Sequence, residues 1–169
     1  MRRMAEIREV SGWSDGDLAA MSALLVDVVE EGASLGFLPP LSRREARAYW
    51  LGALAESVKL WVAEHDGHIV GTVQLQLSAK PNGRHRAEIA KLMVHPQARR
   101  LGIARQLMET AETAGRHEGI SLMVLDTREG DPSNVLYRSL GYHEVGRIPQ
   151  YARSADGTLH TTVLYYKVL

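Results

Sequence analysis

Residues 86–126 read RAEIAKLMVHPQARRLGIARQLMETAETAGRHEGISLMVLD, and the fold turns on them. Arg86–His95 is a strand-like segment that Pro96 ends. Ile103, Leu107, Met108, Ala111 and Ala114 then recur at helical spacing, with Gly115 or Gly119 as the stop. Ser121–Asp126 is a nearly unbroken apolar run, as in a strand covered on both faces. Strand, helix and strand in succession make a crossover of βαβ type, so the two strands are expected to be parallel neighbours.

Upstream, Lys59–His65 and His68–Leu77 flank Asp66-Gly67, a turn pair suited to a hairpin, and Pro81-Asn82-Gly83 marks a second turn. Residues 5–10 (AEIREV) alternate as a short first strand. Ser14 and Asp15 can cap a helix carrying Leu18, Met21, Leu24, Leu25, Val28 and Val29 on one stripe, ending near Glu31-Gly32. Residues 32–40 form a Gly- and Pro-rich loop with an apolar Phe37. Ser42-Arg43-Arg44-Glu45 is a capping box that opens a second helix through Trp50, Leu51 and Leu54. Downstream, Asp131-Pro132-Ser133 starts a short helix through Leu140, ended by Gly141, and Tyr142–Arg147 and Leu159–Val168 are the last strands. The expected architecture is α/β, a mixed and mostly antiparallel sheet of about seven strands with a central parallel pair, flanked by about four helices. All 169 residues are read as a single domain, with no repeat or interdomain linker.

Composition removes several chemistries. There is no cysteine, which excludes disulfides, thiolate metal sites and a Cys-bound acyl group. Lys plus Arg and Asp plus Glu are each 20, so net charge gives no support to nucleic acid or anionic membrane as a partner. The seven histidines show no ligand spacing such as H-E-x-x-H, and no metal is expected. His85, His95 and His160 read as loop or edge residues, and Trp13, Trp50 and Trp61 as core. Met1-Arg2-Arg3-Met4 is basic, but Ala5-Glu6-Ile7-Arg8-Glu9 follows where a signal peptide would carry apolar residues. No run approaches the roughly 18 apolar residues that span a bilayer. A cytoplasmic protein is the default expectation.

Arg99-Arg100-Leu101-Gly102-Ile103-Ala104 falls between a strand and the start of a helix, where several backbone N–H groups lack intrahelical partners. Small Gly102 and Ala104 let a ligand approach the backbone, and exposed amides, helix dipole and arginines suit a phosphate or diphosphate. An ordinary helix start with two solvated arginines would read the same. A Walker A loop and a G-x-G-x-x-G turn are both absent, which argues against nucleotide hydrolysis and dinucleotide binding.

The stretch 91–108 (KLMVHPQARRLGIARQLM) resembles the acetyl-coenzyme-A motif of the GNAT N-acetyltransferases, R/Q-x-x-G-x-G/A, with Ala104 where many members have Gly. Residues 134–142 (NVLYRSLGY) are similar to that superfamily's second motif helix and its ending, and the element order agrees over nearly the whole chain. Gly32-Ala33-Ser34 with Gly36-Phe37, Lys80-Pro81-Asn82-Gly83, Arg86-Ala87-Glu88, Leu125-Asp126-Thr127 and Asp156-Gly157-Thr158-Leu159-His160 resemble the tabtoxin-resistance type. The resemblance implies acetyl-coenzyme A as cosubstrate. The backbone of Met93 and Val94 would meet its pantetheine arm. Amides from Arg99, Arg100, Leu101, Gly102, Ile103 and Ala104, with the Arg99, Arg100 and Arg105 side chains, would hold its diphosphate, and Asn134 would contact it. Many members pair as dimers, so a homodimer is also expected.

Acetyl transfer to an amine raises two proton problems. The ammonium, with a pKa of roughly 10, must lose a proton before it attacks, and the departing thiolate is helped by an acid. Without cysteine, direct transfer in a ternary complex is the simplest route. Tyr137 falls where the superfamily's acid sits, and a phenol is protonated at neutral pH; a core tyrosine on an amphipathic helix is its other reading. Glu88 and Asp126 lie on the two central strands and match acidic positions thought to act as bases in the tabtoxin-resistance type. Their other readings are a salt bridge from Glu88 to Arg86 or Lys91 and a turn cap by Asp126. Phe37, Tyr151 and Tyr165 are candidates to line an acceptor pocket. The expected acceptor is a small-molecule amine, such as a toxin or antibiotic. A protein or peptide N-acetyltransferase and a non-catalytic coenzyme-A-binding sensor are the alternatives.

Overall fold

The computed structural model describes residues 3–169, so Met1 and Arg2 of the basic opening lie outside the described residues. In chain order the elements are β1 (Glu6–Val10), α1 (Asp15–Glu30), α2 (Arg43–Ala53), β2 (Val58–His65), β3 (His68–Leu77), β4 (Arg86–Val94), α3 (Ile103–His117), β5 (Leu122–Arg128), α4 (Ser133–Ser139), β6 (His143–Arg153) and β7 (Leu159–Val168). The strands form one sheet in the order β1-β2-β3-β4-β5-β7-β6. Every neighbouring pair is antiparallel except β4–β5, the parallel pair expected from the crossover.

That parallel pairing is short. It holds only for Arg86↔Leu122, Ala87↔Met123 and Glu88↔Val124. Past Glu88 the β3–β4 register slips, with Gln74 opposite Ala90 but Thr72 opposite Met93. Lys91 and Leu92 therefore share the place opposite Val73, and Lys91 takes a left-handed φ of +54°. A bulge of this kind bends its strand. β4 bends away while β5 continues along β7 as far as Arg128↔Thr162, so a gap opens at the carboxyl ends of the central strands.

The faces of the sheet fill as the periodicity requires. α3 packs Leu107, Met108 and Ala111 against Val73, Leu75, Ile89, Met123 and Leu125. α1 and α2 pack Leu25, Val28 and Trp50 against Leu60, Val62 and Met93. Each buried Val, Leu, Ile or Met among them contributes about 1.5–3 kcal/mol. Gly71 sets the seat of α3, because a Cβ there would lie 3.1 Å from the Met93 carbonyl oxygen and 3.3 Å from Ile103 and Leu107. The caps form as expected. Ser14 accepts from the Asp17 amide, and Ser42 and Glu45 form a reciprocal capping box. Trp50 and Trp61 are buried, and Trp13 donates Nε1 to the Trp50 carbonyl oxygen at 2.8 Å.

Two of the boundaries that differ from expectation bear on the site. β6 does not end at Arg147 but runs to Arg153. It is an edge strand, where Pro149 leaves no ladder bond unmade, and a register shift between Ile148 and Ala152 absorbs the left-handed Gln150. α4 starts at Ser133 rather than at Asp131. Among the described residues no helix is long and apolar enough to cross a membrane.

Candidate active site

The gap between β4 and β5 opens into a cavity of about 1010 Å³. Its wall includes β4 from Glu88 to Val94, the turn before α3, the end of β5, Tyr137 of α4, the loop 32–36 and Tyr151.

The turn before α3 is shaped by its backbone. Pro96–Ala98 makes one tight turn, Arg99 is extended, and Arg100 and Gly102 adopt φ of +64° and +77°. Gly102 is the N-cap of α3 and has no side chain with which to cap it. Among the described residues, the backbone N–H groups of Arg99, Arg100, Leu101, Gly102, Ile103 and Ala104 find no protein acceptor. The intrahelical bonds begin from Gln106, which donates to the Gly102 carbonyl. His95 anchors the turn. Its Nδ1 accepts from the Gln97 amide at 3.2 Å, which leaves Nε2–H to donate to Asp27 Oδ2 at 3.0 Å. Arg99 reaches Glu31 at 3.8 Å, and Arg100 is exposed. Arg105 departs from the picture of a free cation, because Nη2 donates to Ser139 Oγ at 2.6 Å.

Glu88 and Asp126 share the sheet face opposite α3, since Glu88 pairs with Val124 and side chains alternate along β5. Glu88 lines the cavity, and among the described residues its carboxylate has neither hydrogen bond nor ion pair; the salt bridge to Arg86 or Lys91 does not form. Burial, and then the neighbouring Asp126 charge, push the Glu88 carboxyl above the usual carboxylate range, while Lys91 pulls it back. Asp126 does not cap the following turn; its Oδ2 accepts from Thr162 Oγ1 at 2.7 Å. Tyr137 is 5% exposed and lines the cavity. Burial foremost, then the charge of Asp126, holds its phenol far above the ordinary value, so it is protonated throughout the neutral range.

Two side chains are placed otherwise than expected. Asn134, read as a cofactor contact, is 6% exposed and engaged within the protein. Its Nδ2 donates to the carbonyls of Arg128 and Asp131, both at 2.9 Å, and its Oδ1 accepts from the Tyr165 hydroxyl at 2.7 Å. Tyr165, read as an acceptor-pocket residue, is 1% exposed and packs with a tilted ring against Tyr137 in the core, ring centroids 6.0 Å apart. The two form a pillar under α4. Phe37 lines a smaller adjoining cavity and packs edge-on against Tyr49, while exposed Tyr151 does stand on the main cavity.

Sequence reasoning missed Arg128 and Lys91. Arg128 donates to Asp131 Oδ1, Ser154 Oγ and the Gly32 carbonyl, tying the end of β5 to the β6–β7 hairpin and the α1–α2 loop. Lys91 stands in the bulge with Nζ 5.9 Å from the ring centre of Phe37 and 5.8 Å from that of Tyr49. A charged residue at a strand end is a weak signal, and only the fold shows what these two reach.

A splayed parallel pair, an uncapped helix start, a buried phenol and two carboxylates thus border one cavity. A model of the Acetyltransferase (GNAT) family matches residues 25–142, and the chain belongs to that family. It is an acyltransferase. Over 126 residues it is 32% identical to an uncharacterised N-acetyltransferase from the hisH–hisA intergenic region of Azospirillum brasilense, covering 73% of this chain and 75% of that one. It is 39% identical over 88 residues to N-acetyltransferase 8 of Rattus norvegicus, covering 51% of this chain and 40% of the relative, so it spans less than half of that protein. The fold matches a ribosomal-protein-alanine N-acetyltransferase from Brucella melitensis with a TM-score of 0.81 and 22% identity, over 97% and 99% of the two chains. It also matches a candidate acetyltransferase from Salmonella typhimurium, solved with acetyl-CoA, with a TM-score of 0.80 and 19% identity over 98% and 94%.

Proposed function

We propose that the protein transfers the acetyl group of acetyl-coenzyme A directly to an amine of a small molecule, such as a toxin or antibiotic. The residues fit such a cosubstrate. Six amides without protein acceptors, beside Arg99 and Arg100, suit a diphosphate, and the Met93–Val94 backbone edge toward β5, beyond the parallel pairing that ends at Glu88, suits the pantetheine arm. When bound, acetyl-coenzyme A supplies an acetyl thioester. Glu88 takes a proton from the incoming ammonium, directly or through water, and Asp126 adds negative charge that favours a cationic acceptor. Tyr137 donates its hydroxyl proton toward the sulfur side of the gap. Glu88 is the better base of the two carboxylates because it is free of hydrogen bonds, whereas Asp126 is held by Thr162.

The observation that carries the small-molecule reading is Arg128. By joining the α1–α2 loop to the β6–β7 hairpin it closes one end of the gap, leaving a pocket where an extended peptide would need a groove. Thiol release on a panel of amines, including β-lactam-type and aminoglycoside compounds beside unstructured peptides, tests it. Turnover of small amines is expected. Turnover confined to peptides would reverse the reading, and cofactor binding without thiol release on any amine would make the protein a sensor.

A further inference from the structure

Of the lysines, Lys59 and Lys167 are held by carboxylates, the first at 3.6 Å from Glu9 and 3.3 Å from Glu118, the second at 2.9 Å from Glu112. Lys80 is exposed. Lys91 is different. It is half-buried on the cavity wall, and among the described residues its Nζ has neither an ion pair nor a hydrogen-bond acceptor. Two aromatic rings are its neighbours, and a Cβ on Gly36 would lie 3.7 Å from the nitrogen. The bulge places this amine two residues before Met93, on the strand end that borders the gap, with Glu88 and Asp126 near enough to influence it.

We propose that Lys91 is a self-acetylation site: with acetyl-coenzyme A bound and the acceptor absent, its Nζ takes the acetyl group. The inference rests on the acetyl-thioester reading above. Burial favours the neutral amine over the ammonium, and the neutral amine is the nucleophile. The step balances. The Nζ lone pair bonds to the acetyl carbonyl carbon, the carbon–sulfur bond breaks, a proton from Nζ passes to Glu88, and the sulfur takes the Tyr137 proton. The products are an acetamide and a free thiol, with Tyr137 and Glu88 restored through solvent. Because Lys91 pulls the Glu88 carboxyl down, losing its charge raises that carboxyl and moves the onset of activity to higher pH. Self-acetylation thereby damps an enzyme that has no acceptor to work on.

The test incubates the purified chain with acetyl-coenzyme A and no amine, follows intact mass, and maps acetylated peptides, with exposed Lys80 as the internal measure of uncatalysed modification. Lys91 is expected to be modified at least about tenfold faster than Lys80, in keeping with general acid–base assistance. Tyr137→Phe should slow Lys91 and leave Lys80 alone, and Lys91→Arg should abolish the fast modification. Equal rates at the two lysines, or a Lys91 rate indifferent to Tyr137→Phe, overturn the proposal. If small amines release thiol while Lys91 stays unmodified, the proposal falls and the acetyltransferase reading stands. If neither cofactor binding nor thiol release occurs, both fall.

Discussion

Asn134→Ala separates two accounts of one residue. A direct cofactor contact would cost affinity and spare the fold. The structure says the reverse, because the Asn134 amide is used within the protein: Nδ2 on two turn carbonyls and Oδ1 under the hydroxyl of a tyrosine that is 1% exposed. Removing it leaves the Tyr165 hydroxyl buried without a partner, worth about 1–3 kcal/mol, and loses the bond to the Arg128 carbonyl, worth about 1 kcal/mol. Asp131 keeps one donor, the Asn134 backbone amide at 3.1 Å. The sum is about 3 kcal/mol, or a melting temperature lower by roughly 6–12 °C for a domain of this size. Tyr165→Phe alone should cost about 1 kcal/mol. In the double variant there is no hydroxyl left to orphan, so its cost should fall short of the sum of the singles by about 1–2 kcal/mol. Urea unfolding of the four proteins measures this. Additive effects, or a stable Asn134→Ala protein with weakened acetyl-coenzyme A binding, would refute the pillar under α4.

Three further expectations follow from the site and the core. Tyr137→Phe should lower kcat by about 10²–10⁴-fold with little change in acetyl-coenzyme A affinity, measured by thiol release and calorimetry; unchanged kcat removes the phenol from the chemistry. A base works only when ionised, so activity is lost as pH falls through the raised Glu88 value, and Glu88→Gln should erase that acidic limb in the kcat/KM profile. Asp126→Asn removes a like charge and should shift the limb to lower pH, whereas Lys91→Gln should shift it higher; shifts of the opposite sign contradict the assignment. Gly71→Ala forces a methyl to 3.1 Å from the Met93 carbonyl and should cost about 1–3 kcal/mol in urea unfolding. A neutral result would mean that α3 is not seated by that approach.

The order of elements, the parallel pair and the caps were legible in the sequence because each rests on local information: apolar periodicity, Asp66-Gly67, Ser42 with Glu45. The end of β6 was not. Pro149 and Gln150 look like a terminus, and only an edge position with a register shift lets the strand continue through them. Glu88, Asp126 and Tyr137 could be named in advance because motif spacing places them on adjoining elements, and they do meet on one cavity. Asn134 and Tyr165 are placed otherwise than expected for a shared reason. Each is polar and close to the site in sequence, yet they lie 31 residues apart and spend their polarity on each other. Arg128 reaches a carbonyl 96 residues away, a contact that no local pattern encodes.

The account stands or falls on the backbone amides from Arg99 to Ala104 as the seat of the cofactor's diphosphate. Amide chemical shifts followed while coenzyme A is titrated into isotope-labelled protein report on those groups one by one. The account predicts a saturable response concentrated at these residues, with Gly102 among the largest. Saturable binding that leaves those amides unmoved, or no binding at all, would contradict it.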